Sequence, residues 1–435
     1  MDGLTGALRL RIAAMRSPMY RNAFYLIASE AVSAPLGLAF WALVARLYPD
    51  ADAGIGSVLI ASATLLATAG TLGLNFGLVR FLPGGRGREA AIINSSATVT
   101  ALTTALLAAI FAAGSGLWTP VVGFLASDPL SFTIFVAFVA VWAVHLLFDY
   151  AFIGLSDSRS VLVRAFTVGL LKLGLPIALI PPLFVPMGLF SAWSLGFLAS
   201  NALAVALLVP RVIPGYKLRP ELRRDAIAPM VRYSIGSQAT TIFGALPGLG
   251  FPLIITRVLP PENAAYFYVA WSIATVLFIL PGSIFLSVFA EASRATQELR
   301  RTTWSGLLLA FALLAPAVAA TVLLSGTILA RVFSAGYAAA APVLNVLALA
   351  SFPVTVNLAY AASLRVQKRL GRLLLLYGST SVAALGFGYV SLPFVGLLGP
   401  ALAFAGVQGV AAASTTRAML REGMLGRPAR AVPKA

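Results

Sequence analysis

Seven ionisable residues stand in or beside stretches apolar enough to lie in lipid: Glu30, Arg80, His145, Asp149, Arg164, Lys172 and Glu291. A charge in hydrocarbon costs a few kcal/mol, so each should face water, a partner or a cargo. Glu30 lies about ten residues into the first apolar stretch, roughly 15 Å deep at 1.5 Å per residue. Lys172 sits at a similar depth in the fifth stretch. His145 and Asp149 are four residues apart and share one helical face. A lysine offers a cation to an anionic group, and a carboxylate takes up a proton or metal cation. A neutral histidine hydrogen-bonds or accepts a proton. We expect Lys172 and Glu30 to neutralise each other across three helices, with His145 joining them. If this group faces a wet cavity, an anionic cargo takes Lys172 and frees Glu30 for H+ or Na+. The alternative is a permanent pair that only ties two helices together. For Asp149, Arg80, Arg164 and Glu291, close to the helix ends, the sequence suggests side chains that snorkel to the interface.

Uncharged polar residues add hydrogen-bonding capacity in apolar surroundings: Asn94, Ser95, Ser96, Asn201, Gln238 and Asn357. Two helix-breaking groups recur, Pro35 with Gly37 and Pro247 with Gly248. Proline removes a backbone hydrogen bond, so these read as paired hinges in corresponding helices. Ser29, Ser33 and Gly37 place a small residue every fourth position and allow close helix packing.

No constellation for catalysis or metal binding stands out. The chain has no cysteine and one histidine, which excludes disulfides and argues against a zinc or di-metal centre. No phosphate-cradling glycine loop ends in Lys-Ser/Thr, so no built-in ATPase is expected. We expect neither an enzyme nor a cofactor.

The elements that must carry these residues are membrane helices. The chain is 60% hydrophobic and 10% charged over 435 residues. Apolar stretches long enough to cross roughly 30 Å of hydrocarbon recur throughout. Spans are predicted near 20–46, 54–79, 91–114, 131–153, 161–183, 189–209, 233–256, 264–289, 304–326, 341–363, 373–392 and 399–419. The fold class is therefore an all-α, polytopic membrane protein of about twelve spans. Of the 31 Lys and Arg, 27 fall on alternate segments that include both termini and residues 210–232. Only Arg46, Arg257 and Arg331 fall on the other side. This positive-inside bias predicts cytoplasmic termini and a plasma (inner) membrane protein. The net charge of +17 is then topology and contact with anionic lipids rather than nucleic-acid binding. Met1–Arg16 is polar and basic and leads straight into the first span, so no cleaved signal peptide is expected.

The halves repeat at an offset of 211. Arg21 matches Arg232, Gly37 matches Gly248, Arg46 matches Arg257, and Pro182 with Gly188 matches Pro393 with Gly399. Six spans per repeat is even, so the two lobes are parallel. We assign 1–209 to an N-lobe, 210–232 to a basic cytoplasmic linker, and 233–435 to a C-lobe with its tail.

The first two spans read Gly37-Leu-Ala-Phe-Trp41-Ala-Leu-Val-Ala-Arg46-Leu-Tyr48-Pro49, then Gly54, Leu72-Gly73-Leu74 and Val79-Arg80-Phe81-Leu82-Pro83. This resembles the opening of polysaccharide-biosynthesis membrane proteins. They are the Wzx-type oligosaccharide flippases of the multidrug/oligosaccharidyl-lipid/polysaccharide exporter superfamily. The motif resemblance covers about residues 20–85, and the twelve-span plan fits the whole chain. It implies two six-helix lobes forming a V around a central cavity lined by the first span of each lobe. It also implies a polyprenyl-pyrophosphate-linked oligosaccharide as cargo, moved from inner to outer leaflet, and a glycan polymerase complex as neighbour. The alternatives are an ion-coupled drug exporter on the same fold and a non-transporting scaffold for glycan assembly.

Overall fold

The computed structural model describes residues 18–85, 87–179, 185–292 and 299–425. Of the charges counted to the inner side, Arg9, Arg11, Arg16, Arg86, Arg294, Arg427, Arg430 and Lys434 lie outside the described residues, as does Pro182 of the repeat. Among the described residues there is no strand. Eleven helices are long and apolar enough to cross a membrane. A twelfth long helix, Ser158–Leu179, is 22 residues and carries Arg159, Arg164 and Lys172. The chain is a multi-pass membrane protein.

In chain order the long elements are α1 Pro18–Leu47, α2 Asp50–Gly70, α3 Leu74–Phe81, α4 Glu89–Ala113, α5 Pro129–Gly154, α6 Ser158–Leu179 and α7 Val185–Leu203. There follow α8 Arg224–Ile255, α9 Glu262–Ala292, α10 Leu299–Ile328, α11 Ala341–Val366, α12 Leu370–Val395 and α13 Leu398–Arg421. The repeat is visible in these bounds. Adding 211 to 89, 129 and 158 gives 300, 340 and 369, and α10, α11 and α12 begin at Leu299, Ala341 and Leu370.

Two boundaries differ from the sequence expectation. The second span is not one helix. It is interrupted between α2 and α3, where Leu72 has φ 50° and Gly73 φ 80°. Gly73 also leaves no room for a side chain, because an added Cβ would meet Ser234 at 2.8 Å. Conversely, the helices expected to break at proline do not end there. Pro35 lies inside α1, and α8 runs through Pro247 and Pro252. A proline loses only one intrahelical bond, and a membrane helix continues past it where neighbours support the backbone.

The chain divides into two compact units: Met1–Val44 with Val58–Gln238, and Ala45–Ser57 with Ala239–Ala435. In the first unit, Leu74, Leu78, Leu147, Phe148, Phe152 and Met230 form a buried cluster. The basic segment before α8 is strapped onto α4 of this unit. Tyr216 Oη donates to Asn94 Oδ1 at 2.8 Å, and Asn94 Nδ2 donates to Lys217 O at 3.0 Å. The Glu221 and Arg223 amides donate to Thr98 Oγ1 and Ser95 Oγ at 3.1 and 3.2 Å. In the second unit, Phe285, Leu307, Tyr360, Leu364, Leu373 and Met419 form the equivalent apolar cluster. There the 45–57 segment is held by Arg46 Nη2, which donates to Arg331 O at 2.7 Å, and by Asp50, which accepts from Tyr266 Oη at 2.5 Å. The α5 start is fixed by Asp128, whose carboxylate accepts from the Leu130 and Ser131 amides at 3.3 and 3.0 Å. Bonds from the Ser131 side chain and amide hold the Asp128 carboxyl below the usual range.

Candidate functional site

In the first unit, α5, α6 and α7 bring together a buried polar knot centred on Arg164. Its side chain is 0% exposed, which corrects the expectation that it snorkels. A buried guanidinium is tolerable only when its donors are all met. Arg164 Nε donates to Asp149 Oδ1 at 2.7 Å. Nη1 donates to Ser200 O at 3.1 Å. Nη2 donates to His145 O at 2.9 Å and to His145 Nδ1 at 2.6 Å. Because arginine only donates, Nδ1 is the acceptor, and the His145 proton sits on Nε2. That nitrogen points at Asp149 Oδ2, 3.4 Å away. Asn201 Oδ1 accepts from Arg164 at 3.4 Å, and its amide nitrogen donates to Val141 O at 2.9 Å.

The knot forms one wall of a cavity of about 210 Å³ enclosed by α1, α5, α6 and α7. Glu30, Ser33 and Gly37 of α1 line it opposite Asp149, His145 and Lys172. The sequence expectation groups Glu30, His145 and Lys172, and all three line this cavity; Asp149, expected to snorkel to the interface, lines it as well. The expected Lys172–Glu30 pair is not formed. Among the described residues, no carboxylate lies within ion-pair distance, 4.0 Å, of the Lys172 ammonium. Instead Nζ stands 3.3 Å from the Trp193 ring centroid and 4.7 Å from that of Phe197. Aromatic faces stabilise a cation without neutralising it. Lys172 is only 8% exposed and, among the described residues, its amine is committed to no carboxylate. The sequence reading missed Trp193 and Phe197. Their signal was the α7 spacing, which sets both on the face that meets Lys172.

The second unit holds a cavity of about 350 Å³ between α8, α9, α11, α12 and α13. Its polar wall includes Thr240, Thr241, Asn357, Ser381 and Gln408; Trp271, Phe404 and Tyr377 supply flat faces. Asn357 is held by Gln408 Oε1, to which its amide donates at 2.7 Å, and by Thr415, which donates to Asn357 Oδ1 at 3.0 Å. Among the described residues the cavity lining has one cation, Arg365, and no carboxylate. The two cavities use equivalent positions. Ser29, Glu30, Ser33, Leu36, Gly169 and Phe197 line the first; adding 211 gives Thr240, Thr241, Gly244, Pro247, Thr380 and Gln408, which line the second.

The remaining candidates fall elsewhere. Arg80 lies over the Tyr233 ring at 4.4 Å. Gln238 donates to Thr68 O in α2 rather than lining either cavity. Asn94 and Ser95 hold the strap described above. Of the expected hinge residues, Gly37 and Pro247 line the cavities, while Gly248 packs so tightly that an added Cβ would meet Trp271 Nε1 at 2.2 Å. Glu291, near the end of α9, lines neither cavity and faces a separate pocket that Arg301 of α10 also lines.

No protein-family model matches the chain, and no curated protein matches it. Solved structures do. An inward-facing multidrug resistance MATE family transporter of the MOP superfamily aligns with TM-score 0.72 and 14% identity, over 92% of this chain and 98% of its own. An outward-facing structure of such a transporter aligns at 0.63 and 16%, over 94% and 97%. A MOP superfamily transporter from Pyrococcus furiosus, for which reverse polarity of the binding pocket suggests a different function, aligns at 0.59 and 16%, over 94% and 95%. At these identities the likeness establishes architecture: the chain has the two-lobed, all-helical fold of the MATE transporters of the MOP superfamily.

Proposed function

We propose that this protein is an alternating-access transporter that flips a polyprenyl-pyrophosphate-linked oligosaccharide from the inner to the outer leaflet. The observation that carries the substrate class is the wall of the second cavity. Hydroxyls, amides and aromatic faces around a single arginine, with no carboxylate, suit a sugar joined to a phosphate. A cationic drug would meet Arg365 with nothing to offset it. In the first cavity Lys172 offers a second cation, parked on Trp193 and committed to no carboxylate. Glu30 and Asp149 face the same space and are the groups that would take a coupling H+ or Na+.

A second reading is an ion-coupled drug exporter, favoured by Glu30, which lines the first cavity with no cation within ion-pair distance among the described residues. Reconstitution in vesicles separates the two. The proposal expects outer-leaflet appearance of a labelled lipid-linked oligosaccharide and no uptake of a cationic dye; dye movement without glycan movement overturns it. The orientation is tested on the same cysteine-free chain. A single cysteine at exposed Ser127 should label only from outside, and one at exposed Arg159 only from inside.

A further inference from the structure

A groove of about 760 Å³ runs between α12 and α13 in the second unit. From Arg372 to Phe387 it follows α12 for fifteen residues, and from Leu402 to Ala418 it follows α13 for sixteen. At 1.5 Å per residue that is ~22–24 Å, most of the hydrocarbon thickness. Small residues make the space: Ala383, Ala403, Gly406 and Ala411 lie along it. A Cβ on Gly406 would meet nothing within 4 Å. The shape fits one long hydrocarbon chain lying along the helices.

Two features identify what kind of chain. The first is charge at the α12 start of the groove. Arg369 and Arg372 both reach Glu422, at 2.5 and 2.6 Å, so two guanidiniums share one carboxylate and a positive charge remains. Arg372 lines the groove itself with its side chain 54% exposed. The second is continuity with the polar cavity. Thr380 lines both the groove and the cavity, and groove-lining Thr415 donates to Asn357 of the cavity. Arg365, in the last turn of α11, lines the cavity side. An anionic group at this end would therefore meet Arg372 in the groove and Arg365 in the cavity.

We infer that the α12–α13 groove holds the isoprenoid chain of a polyprenyl phosphate carrier, with Arg372 on its phosphate. The glycan beyond the phosphate enters the adjoining cavity past Thr380 while the isoprenoid chain stays in the groove. This deepens the proposed function and rests on it. A bilayer phospholipid needs no polar cavity beside its chains, so the continuity favours the carrier.

The test measures binding of undecaprenyl phosphate to the purified full chain, with phosphatidylglycerol as a matched anionic lipid. Gly406→Phe fills the groove at a position with open space, and Arg372→Gln removes the phosphate contact. Leu323→Phe, on exposed α10 surface, is the control. The inference expects wild type to prefer undecaprenyl phosphate at least tenfold, a tenfold or greater loss in Gly406→Phe and in Arg372→Gln, and no change in the control. Equal binding of both lipids makes the groove a bilayer-lipid site and overturns the inference. So does unchanged binding by a folded Gly406→Phe protein, or an absence of undecaprenyl phosphate binding by wild type. Glycan flipping by wild type, assayed separately, decides the proposed function independently: flipping with an irrelevant groove leaves that function standing, and no flipping removes it.

Discussion

Where the first unit has Glu30, the second has Thr241; where the first has Phe197, the second has Gln408. His145, Asp149, Arg164 and Lys172 correspond at the same offset to Val356, Tyr360, Leu375 and Ala383. The backbone repeat places a cavity beside the first helix of each half, yet one is ionic and the other neutral apart from Arg365. Duplicated architecture needs matching helices and small residues, but it does not need matching chemistry. A buried charge network brings a desolvation cost that must be offset by many placed partners. Among the described residues the first unit has those partners, and where it has the buried arginine the second has Leu375, which is 70% exposed.

The sharpest test of this asymmetry is Arg164→Met. It leaves Asp149 and His145 in an apolar interior without their main partner, and should cost ~3–5 kcal/mol. Leu375→Ala, at the equivalent position, should stay within about 0.5 kcal/mol as an exposed substitution. Thermal unfolding in detergent compares them, and equal losses would mean the knot does not organise the first unit.

Next in size is Lys172. Lys172→Met removes a cation that has no ion-pair partner, so folding should be retained while glycan flipping falls about tenfold, the value of one charge-assisted hydrogen bond. The swap of Glu30→Lys with Lys172→Glu should not restore transport, because the two are not paired. Near-normal flipping by the swapped protein would return both to a structural role.

The glycines at the expected hinges should also part company. Gly248→Ala forces a methyl against the Trp271 ring and should cost ~1–3 kcal/mol as overpacking. Gly37→Ala meets nothing within 4 Å and should be neutral or stabilising by about 0.5–1 kcal/mol. Similar melting temperatures for the two variants would contradict the packing difference.

The smallest effect concerns pH, at the α12–α13 end of the second unit. Partial burial pushes the Glu422 carboxyl up, but the bonds and charges of Arg372 and Arg369 outweigh it and hold it below the usual range. Its stabilising contribution is therefore present above the ordinary carboxylate range and lost as pH falls through the lowered value. Glu422→Gln should flatten the acid limb of the unfolding profile; an unchanged limb would show that the pair contributes nothing.

Membrane helices, their number and the repeat were legible from sequence because apolar length and the 211 offset are properties of the chain alone. The grouping of Glu30, His145 and Lys172 followed from their similar depth, whereas Asp149, one turn from His145, was read as an interfacial side chain and lines the same cavity. Rotation was not legible, since a helix can turn about its axis without changing its hydropathy. Only the tertiary structure decided that Arg164 points inward to Asp149, His145 and the Ser200 carbonyl, that Lys172 rests on Trp193 instead of Glu30, and that Gln238 bonds α2. Likewise, Leu72 and Gly73, not Pro35, interrupt a helix in the first unit. A proline gives up one hydrogen bond, whereas two consecutive residues at positive φ stop the helix, and the close approach of Ser234, 161 residues away in sequence, leaves no room for a side chain on Gly73.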